Sequence, residues 1–292
     1  MKFPDYFADA EASFEKAEYI IFGIPYDKTG SFRRGTNKGP TEIRQASWNF
    51  ETYDLLNNID LKDIKIHDYG NLIFDKENEP KDMKKKVKNF TYKILDKDKI
   101  PLAIGGEHTV TYPIIQAFEK SKKDIAVIIF DAHLDYKDKY ENNPESHACV
   151  VKRISEVVGV ENIAVLGVRS GIQKEFDEAK KDGLLFINSF DINKKGIQWA
   201  LDKVHNKFID KDIYFSLDFD AIDPCYAPGT STPEPFGLNP FDILQGIKLF
   251  SKKITGFDLV EVCPAYDRGE TAILAARIIR YLITEVSLNK DG

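Results

Sequence analysis

The sequence predicts an α/β protein in which a largely parallel sheet is covered by helices on both faces. Eight short apolar segments alternate with helical segments along the 292 residues, and some, such as 127–130, contain no polar residue. This alternation is typical of parallel sheets buried on both faces. No linker interrupts it, so we expect one domain over residues 1–292. A closed eight-stranded barrel has the same strand count and stays open as an alternative.

The predicted elements follow one another without long gaps. The strands are expected at 19–25, 64–70, 101–104, 125–130, 163–168, 184–188, 213–217 and 255–262. The helices are expected at 39–53, 79–98, 109–120, 146–158, 174–181, 193–205, 240–250 and 270–287. In the second helix, Met83, Val87 and Phe90 recur at helical spacing.

Composition excludes several classes of protein. The formal net charge of −6 argues against a general nucleic-acid surface. The cysteines, Cys149, Cys225 and Cys263, are far apart and form no CxxC pair, so neither a disulfide framework nor a cysteine zinc site is expected. A reducing, cytoplasmic compartment fits this pattern. No apolar run approaches the roughly 18 residues that span a bilayer, so no membrane partner is expected.

Metal-ligand side chains collect where predicted strands end. Three strands run into such residues: His108; Asp131, His133 and Asp135; and Asp218 and Asp220. The second group occupies every second position, so its side chains point the same way if the chain stays extended. In an open sheet or a barrel, sites form at the carboxyl ends of strands. We therefore expect these six residues to form one site.

The composition of this set favours two metal ions. Four carboxylates and two imidazoles include too many carboxylate ligands for one zinc ion. They suit two divalent ions of the Mn type, which carboxylates would bridge and which lie roughly 3.5–4 Å apart. Without metal, the carboxylates would repel one another. A single Asp after a strand, such as Asp135, is usually a cap or turn residue. The occurrence at three strand ends favours the metal site. Asp223, before Pro224, is expected to be either a turn residue or a residue that contacts a metal ligand from behind.

Several motifs together resemble the ureohydrolase family, which includes arginases and agmatinases. The resemblance covers nearly the whole chain. It rests on Gly23-Ile24-Pro25-Tyr26-Asp27, Gly105-Gly106-Glu107-His108, Asp131-Ala132-His133-Leu134-Asp135, Ser216-Leu217-Asp218-Phe219-Asp220, the loop from Ala227 to Pro235, and Val260-Glu261-Val262-Cys263-Pro264.

The resemblance implies a fold, a cofactor and roles for particular residues. The fold would be a three-layer sandwich with a central eight-stranded, mostly parallel sheet, which decides against the barrel. Two Mn²⁺ ions per subunit are implied, with Asp131 and Asp218 as bridging ligands. The first ion would be bound by His108, Asp131, Asp135 and Asp218, and the second by Asp131, His133, Asp218 and Asp220.

His147 would be the catalytic histidine, Glu261 would bind the guanidinium, and Asp135 is expected to orient the nucleophile. Family members usually form trimers or hexamers, so a homo-oligomer is expected.

Two positions depart from the family pattern. Glu107 stands where many members carry Asp, and we expect only a local packing change there. Phe236-Gly237 stands where Gly-Gly is common, so Phe236 is expected at the pocket rim.

The loop at 136–145 is expected to select the substrate, a small cationic guanidine. It lacks the hydroxyl and amide pattern that arginases use to bind an amino-acid head group, whereas Asp138, Glu141 and Glu145 suit a ligand with an amine end. This resembles agmatinases, which cleave agmatine to putrescine and urea. Other guanidines (aminopropyl-agmatine, arginine or guanidinobutyrate) remain alternatives, as does a catalytically silent binding relative, although no ligand is lost. A two-metal phosphoesterase is disfavoured, because Glu261 would repel phosphate.

Overall fold

The computed structural model describes residues 3–75 and 79–290. Residues 1–2 and 291–292, the ends of the predicted domain, lie outside the described residues. In chain order the strands are β1 (Tyr19–Ile24), β2 (Tyr53–Asp54), β3 (Ile59–Asp60), β4 (Ile66–Asn71), β5 (Ile100–Gly105), β6 (Ile125–Phe130), β7 (Ile163–Val168), β8 (Leu185–Asn188), β9 (Asp212–Asp218) and β10 (Ile254–Val260).

The helices alternate with the strands as the sequence predicts. They are α1 (Gly39–Ser47), α2 (Glu79–Leu95), α3 (Thr111–Lys120), α4 (Val150–Val158), α5 (Gln173–Asp182), α6 (Ser189–Lys195), α7 (Ile197–Lys207), α8 (Pro240–Phe250) and α9 (Glu270–Lys290). Within the described ranges, no helix combines the length and apolarity needed to cross a membrane.

Eight of the strands form one parallel sheet in the order β4-β1-β5-β10-β9-β6-β7-β8. The pair β2 and β3 is separate and antiparallel. Strands β4 and β8 form the two edges and do not pair with each other in the described part of the chain. The open parallel sheet is therefore confirmed, and the barrel alternative is wrong.

The two faces of the sheet support two helical layers, because successive strand residues point to opposite sides. In β6, Ile128 and Phe130 belong to the apolar cluster that includes α1 and α6 to α9. Their neighbours Val127 and Ile129 belong to the cluster that includes α2 to α5. The sheet is thus buried between two layers of helices, which gives the predicted three-layer sandwich.

Two predicted helices differ from the structure. The helix expected at 193–205 is divided into α6 and α7 at Gly196, whose φ of 87° is a conformation that favours glycine. Helix α6 begins earlier than predicted because the side chain of Asn188 caps it by accepting a hydrogen bond from the Asp191 N–H. The helix expected at 39–53 begins at Gly39 as predicted but ends at Ser47, and Tyr53 begins β2.

Candidate active site

The candidate site lies at the carboxyl ends of four neighbouring central strands. His108 follows β5, Glu261 follows β10, Asp218 ends β9, and Asp131 directly follows β6. Parallel strands that are adjacent in a sheet present their carboxyl ends side by side. The topology therefore places residues more than 150 positions apart in the chain on one short edge.

His108 is surrounded by carboxylates. Its Nδ1 atom lies 3.2 Å from Oδ2 of Asp131, 3.2 Å from Oδ2 of Asp218 and 3.4 Å from Oδ2 of Asp135. Burial by itself would lower the pKa of His108, but these three carboxylates raise that pKa well above its usual value. The site therefore has a strongly negative potential that favours a bound cation.

His133 belongs to a second, adjoining group. Its Nδ1 atom lies 3.0 Å from Oδ2 of Asp220 and 3.6 Å from Oδ1 of Asp131. The two candidate ligand groups are His108, Asp131 and Asp218, and Asp131, His133 and Asp220, each with its ligand atoms within 4.8 Å of one another. These groups contain five of the six predicted ligands, with Asp131 in both and Asp218 in the first alone. Asp135 belongs to neither group but lies 3.4 Å from Nδ1 of His108.

Unsatisfied buried atoms show that these residues fit metal ions. Nδ1 of His108 and Oδ2 of Asp131 are buried and lie 3.2 Å from each other, but neither has a partner with hydrogen-bond geometry in the described chain. Burial, followed by the charges of Asp220 and Asp131, raises the pKa of Asp218 well above its usual value. Divalent cations would coordinate the free atoms and favour the ionised carboxylates, so the donor set fits two oxygen- and nitrogen-ligated ions.

A buried hydrogen-bond chain orients the ring of His108. Its Nε2 atom lies 3.3 Å from the hydroxyl of Ser216, which donates to Asp258 at 2.6 Å. The hydroxyl of Tyr214 donates to the same carboxylate at 2.6 Å. Such contacts fix the direction in which a histidine ligand faces its metal. No role for Ser216, Tyr214 or Asp258 is predictable from the sequence, because nothing in the strand pattern identifies which side chains contact a ligand from behind.

Two site residues have a strained backbone. Asp135 and Glu261 have φ values of 47° and 65°, in the left-handed region that residues other than glycine rarely adopt. Backbone strain of this kind concentrates at functional sites, where the surrounding structure must compensate for its cost of about 1–3 kcal/mol. Both carboxylates contact His108: Oδ2 of Asp135 lies 3.4 Å from its Nδ1 atom, and Oε1 of Glu261 accepts a hydrogen bond from its backbone N–H.

Glu261 is a buried carboxyl with two protein donors. Its Oε1 atom accepts a hydrogen bond of 2.7 Å from the backbone N–H of His108, and its Oε2 atom accepts one from the hydroxyl of Ser231. Burial raises the pKa of Glu261 to about 8, despite the opposing effect of these hydrogen bonds. Its ionised form is therefore favoured when a cation lies beside it.

A cavity of about 300 Å³ opens onto both ligand groups. It is lined by Ser31, His133, Asp135, Lys137, Tyr140, His147, Ala148, Ser170, Gly171, Ile172, Asp218, Asp220, Thr232 and Glu261. The ring of His147 is in this wall, with Nε2 3.5 Å from the hydroxyl of Ser31 and the ring of Tyr140 6.0 Å away, centre to centre. The three predicted catalytic residues therefore face one small space.

A larger cavity of about 660 Å³ lies elsewhere, lined partly by Phe190, Tyr226 and Phe236. None of the predicted ligand or catalytic residues lines it. Phe236 has a φ of 67° and is 72% exposed. The expectation that Phe236 shapes the rim of the site is not supported, since this residue lines the larger cavity and not the one beside the candidate ligands.

None of the three acidic residues of the 136–145 loop lines the cavity, and two of them, Asp138 and Glu145, are paired with cations elsewhere. Asp138 accepts a hydrogen bond of 3.1 Å from Arg153, and Glu145 pairs with Lys84. From this loop Lys137 and Tyr140 line the cavity instead, and Lys137 forms an ion pair of 2.7 Å with the buried Glu175. The geometry therefore does not support the expectation that the acidic side chains receive an amine end.

A further acid, Glu234, for which no role was predicted, lies beside His133. Oε1 of Glu234 is 3.8 Å from Nε2 of His133 and accepts a hydrogen bond of 2.8 Å from Ser170. Its backbone carbonyl accepts from the guanidinium of Arg169. Glu234 thus lies behind a candidate ligand, on the side of the ring opposite Asp220.

Comparison with known proteins agrees with this geometry. Residues 17–284 match the model of the Arginase family. The chain is 35% identical over 283 residues to a protein named Agmatinase from Bacillus subtilis (strain 168), which covers 95% of this chain and 94% of that protein. It is 35% identical over 274 residues to the N(1)-aminopropylagmatine ureohydrolase of Thermococcus kodakarensis, which covers 92% of this chain and 91% of that protein.

A solved structure extends the agreement to the fold. The agmatine ureohydrolase of Thermoplasma volcanium superimposes with a TM-score of 0.91 at 36% sequence identity, over 98% of this chain and 96% of that chain. The family match, the relatives and the shared fold give one answer. The chain belongs to the arginase family, resembles its agmatinases, and is a hydrolase that acts on guanidino C–N bonds.

Proposed function

We propose that this chain hydrolyses agmatine to putrescine and urea, with two Mn²⁺ ions per subunit. The observation that carries the proposal is the cavity of about 300 Å³ whose lining includes Glu261, His147 and members of both candidate ligand groups. A hydrolase of a planar cation needs an anion to hold it, a nucleophile beside it and a proton donor for the leaving amine. Relatives at 35% identity that are named Agmatinase support this choice of substrate.

His108, Asp131, Asp135 and Asp218 would hold one ion, and Asp131, His133, Asp218 and Asp220 the other. Bound there, two divalent cations supply a water acidic enough to act as a nucleophile at neutral pH. Oxygen-rich sites with two imidazoles suit Mn²⁺ better than Zn²⁺. Asp135 faces the cavity and would orient that nucleophile by accepting a hydrogen bond from it.

Glu261 would bind the guanidinium. Its carboxyl is buried at the base of the site, where a cationic partner gains more from a charge-assisted contact than it would in water. The guanidinium would in turn favour the ionised form of Glu261, whose pKa is raised to about 8 by burial. Binding would thereby orient the central carbon of the substrate toward the candidate ligands.

His147 would move the proton that the departing amine requires. Its ring lines the cavity, and its Nε2 atom is directed toward Ser31 at the wall. An imidazole exchanges protons readily near neutral pH and is the commonest general acid or base. His147 would therefore protonate the leaving nitrogen as the C–N bond breaks, which releases putrescine and leaves urea.

Two other guanidines remain as specific alternatives. N(1)-aminopropylagmatine is supported by the relative from Thermococcus kodakarensis, which is as similar as the agmatinases. Guanidinobutyrate is supported by Lys137, whose ammonium in the cavity wall could pair with a carboxylate end. Against this, the ammonium already pairs with Glu175 at 2.7 Å, which neutralises it.

We further propose that the chain forms a homo-oligomer, a trimer or hexamer, in the cytoplasm.

The test is urea release by the Mn²⁺-loaded protein from agmatine, N(1)-aminopropylagmatine, arginine and guanidinobutyrate at equal concentrations. We expect the highest kcat/KM with agmatine. The Asp218→Asn variant, assayed under the same loading, controls for contaminating activity. A higher kcat/KM with any other guanidine would replace agmatine as the substrate, and no urea from any of the four would overturn the proposal.

A further inference from the structure

The loop that follows β1 is held by a fully buried carboxylate. Glu107 is 0% exposed. Its Oε2 atom accepts hydrogen bonds of 2.6 Å from the backbone N–H groups of Lys28 and Thr29. Its Oε1 atom accepts from the hydroxyls of Thr29 at 2.8 Å and Thr109 at 2.7 Å. Four donors thus converge on one side chain, as suits an ionised carboxylate that can only accept.

Thr29 connects this carboxylate to His147. The hydroxyl oxygen of Thr29 accepts a hydrogen bond of 2.9 Å from the backbone N–H of His147 and lies 3.1 Å from Nδ1 of its ring. A hydroxyl has a single proton to donate. Because that proton is donated to Glu107, Thr29 can only accept from Nδ1. The neutral ring of His147 therefore has its proton on Nδ1.

The remaining contacts of the ring agree with this tautomer. The hydroxyl of Ser146 lies 3.3 Å from the same Nδ1 atom and can also accept from it. In the other tautomer the proton would be on Nε2, and Nδ1 would be an acceptor. The hydroxyl of Ser146 would then have to donate to Nδ1, while a lone pair of the Thr29 oxygen would face the lone pair of that nitrogen. The opposite atom, Nε2, faces Ser31 at 3.5 Å, and both residues line the cavity. Nε2 is therefore the ring atom available to the substrate.

We propose that Glu107 is a positioning residue that acts through Thr29 to orient the ring of His147 and keep its proton on Nδ1, so that Nε2 exchanges protons in the cavity. The inference rests on the proposed function, in which His147 protonates the leaving amine. It assigns Glu107 more than the local packing change that the sequence suggested. An Asp here would be shorter by one methylene and would not reach the same donors without movement of the loop.

Thr29→Val and Thr29→Ser test the connection with matched variants. Valine has nearly the shape of threonine but no hydroxyl, whereas serine keeps the hydroxyl. We expect Thr29→Val to lower kcat for agmatine about tenfold. This is less than the factor of about 10²–10⁴ that general acid catalysis contributes in total, because the ring of His147 is still present. We expect its KM and bound metal to stay within about twofold of the parent, and Thr29→Ser to restore kcat. Loss of bound metal in Thr29→Val, or no rescue by serine, would overturn the proposal.

A double-mutant cycle separates action through His147 from a general effect on the loop. In the His147→Asn background, Thr29→Val should cause no further loss of kcat, since the ring it positions is gone. An equal loss in both backgrounds would show that Thr29 acts independently of His147, which contradicts the proposal. Glu107→Gln should behave like Thr29→Val, and so should Glu107→Asp, which keeps the charge but is too short to reach the same donors. A kcat equal to that of the parent in either Glu107 variant would overturn the role of Glu107.

Crystal structures of the metal-loaded variants give a result that does not depend on activity. The ring of His147 should rotate or adopt two orientations in Thr29→Val and keep its orientation in Thr29→Ser. An unchanged ring in Thr29→Val would overturn the positioning role. If the parent protein releases no urea, the proposed function fails, but the ring orientation still decides whether Thr29 positions His147.

Discussion

One oxygen of Asp131 lies 3.2 Å from Nδ1 of His108, while its other oxygen lies 3.6 Å from the ring of His133. This carboxylate therefore lies between the two histidines of the candidate metal centre, and it is 0% exposed. Its Oδ1 atom also accepts a hydrogen bond of 2.6 Å from the backbone N–H of His133, which fixes its direction. A carboxylate held in this way is suited to bridge two ions.

Asp131→Asn should therefore remove both metal ions and the activity together. The amide has one oxygen and no negative charge, so it is a weaker ligand for each of the two sites. We expect bound Mn²⁺, measured by elemental analysis after gel filtration, to fall from about two per subunit toward zero.

The matched control is Asp202→Asn, on the exposed side of α7, where the carboxylate accepts a hydrogen bond from Gln198. It should keep its metal and its urea release. Retention of two ions by Asp131→Asn would rule out the bridging role.

His147→Asn should separate catalysis from metal binding. The side chain lines the cavity but contacts neither ligand group through the hydrogen bonds described above. We expect kcat for agmatine to fall by a factor of about 10²–10⁴, the usual contribution of a general acid or base, with bound metal unchanged. Steady-state kinetics and elemental analysis on the same preparation measure both.

His205→Asn is the control for loss of an imidazole, since His205 lies on α7 with its ring 6.2 Å from that of Phe250. Its kcat should match that of the parent. Turnover by His147→Asn at the parent rate would remove His147 from the mechanism.

The part of the site at the carboxyl ends of the strands was predicted well from the sequence. The position at which a strand ends follows from the periodicity of its apolar residues and from local composition. The apolar run of β6 ends directly before Asp131, so alternation predicts that Asp131, His133 and Asp135 point to one side. The structure brings all three to the site, although the chain is no longer extended at Asp135, where φ is 47°. Parallel topology then brings β5, β9 and β10 beside β6. In contrast, the division of one predicted helix at Gly196 was missed, although a glycine after Lys194 and Lys195 is a usual C-terminal signal.

The loop contacts could not be predicted in the same way. Thr29 meets Glu107 across 78 residues and His147 across 118 residues of the chain. Such meetings depend on the path of irregular segments, which no periodic pattern encodes. The same limit explains why Asp138 and Glu145 suggested a substrate-binding role, since their cationic partners, Arg153 and Lys84, lie on other segments.

Glu234→Gln should weaken metal binding without abolishing it. The carboxylate of Glu234 lies 3.8 Å from Nε2 of His133, behind a candidate ligand whose Nδ1 atom faces Asp220. Loss of such an outer carboxylate usually costs about 10–100-fold in metal affinity. Competition with a metal-binding indicator dye would measure the change.

Glu178→Gln is a suitable control, because Glu178 forms an exposed pair with Lys174 on α5. Its metal affinity should equal that of the parent. Equal affinity in Glu234→Gln would show that Glu234 does not support His133.

Asp138→Asn and Glu145→Gln should leave the KM for agmatine within about twofold, because both acids are paired with cations outside the cavity and exposed pairs contribute only about 0–1 kcal/mol. Tyr140→Ala should raise KM, since the tyrosine lines the cavity and packs edge-on against His147. Steady-state kinetics on the three variants, each with its metal content matched to the parent, make the comparison. A rise in KM of tenfold or more in either acid variant, with Tyr140→Ala unchanged, would return the amine-binding role to the acidic side chains of the 136–145 loop.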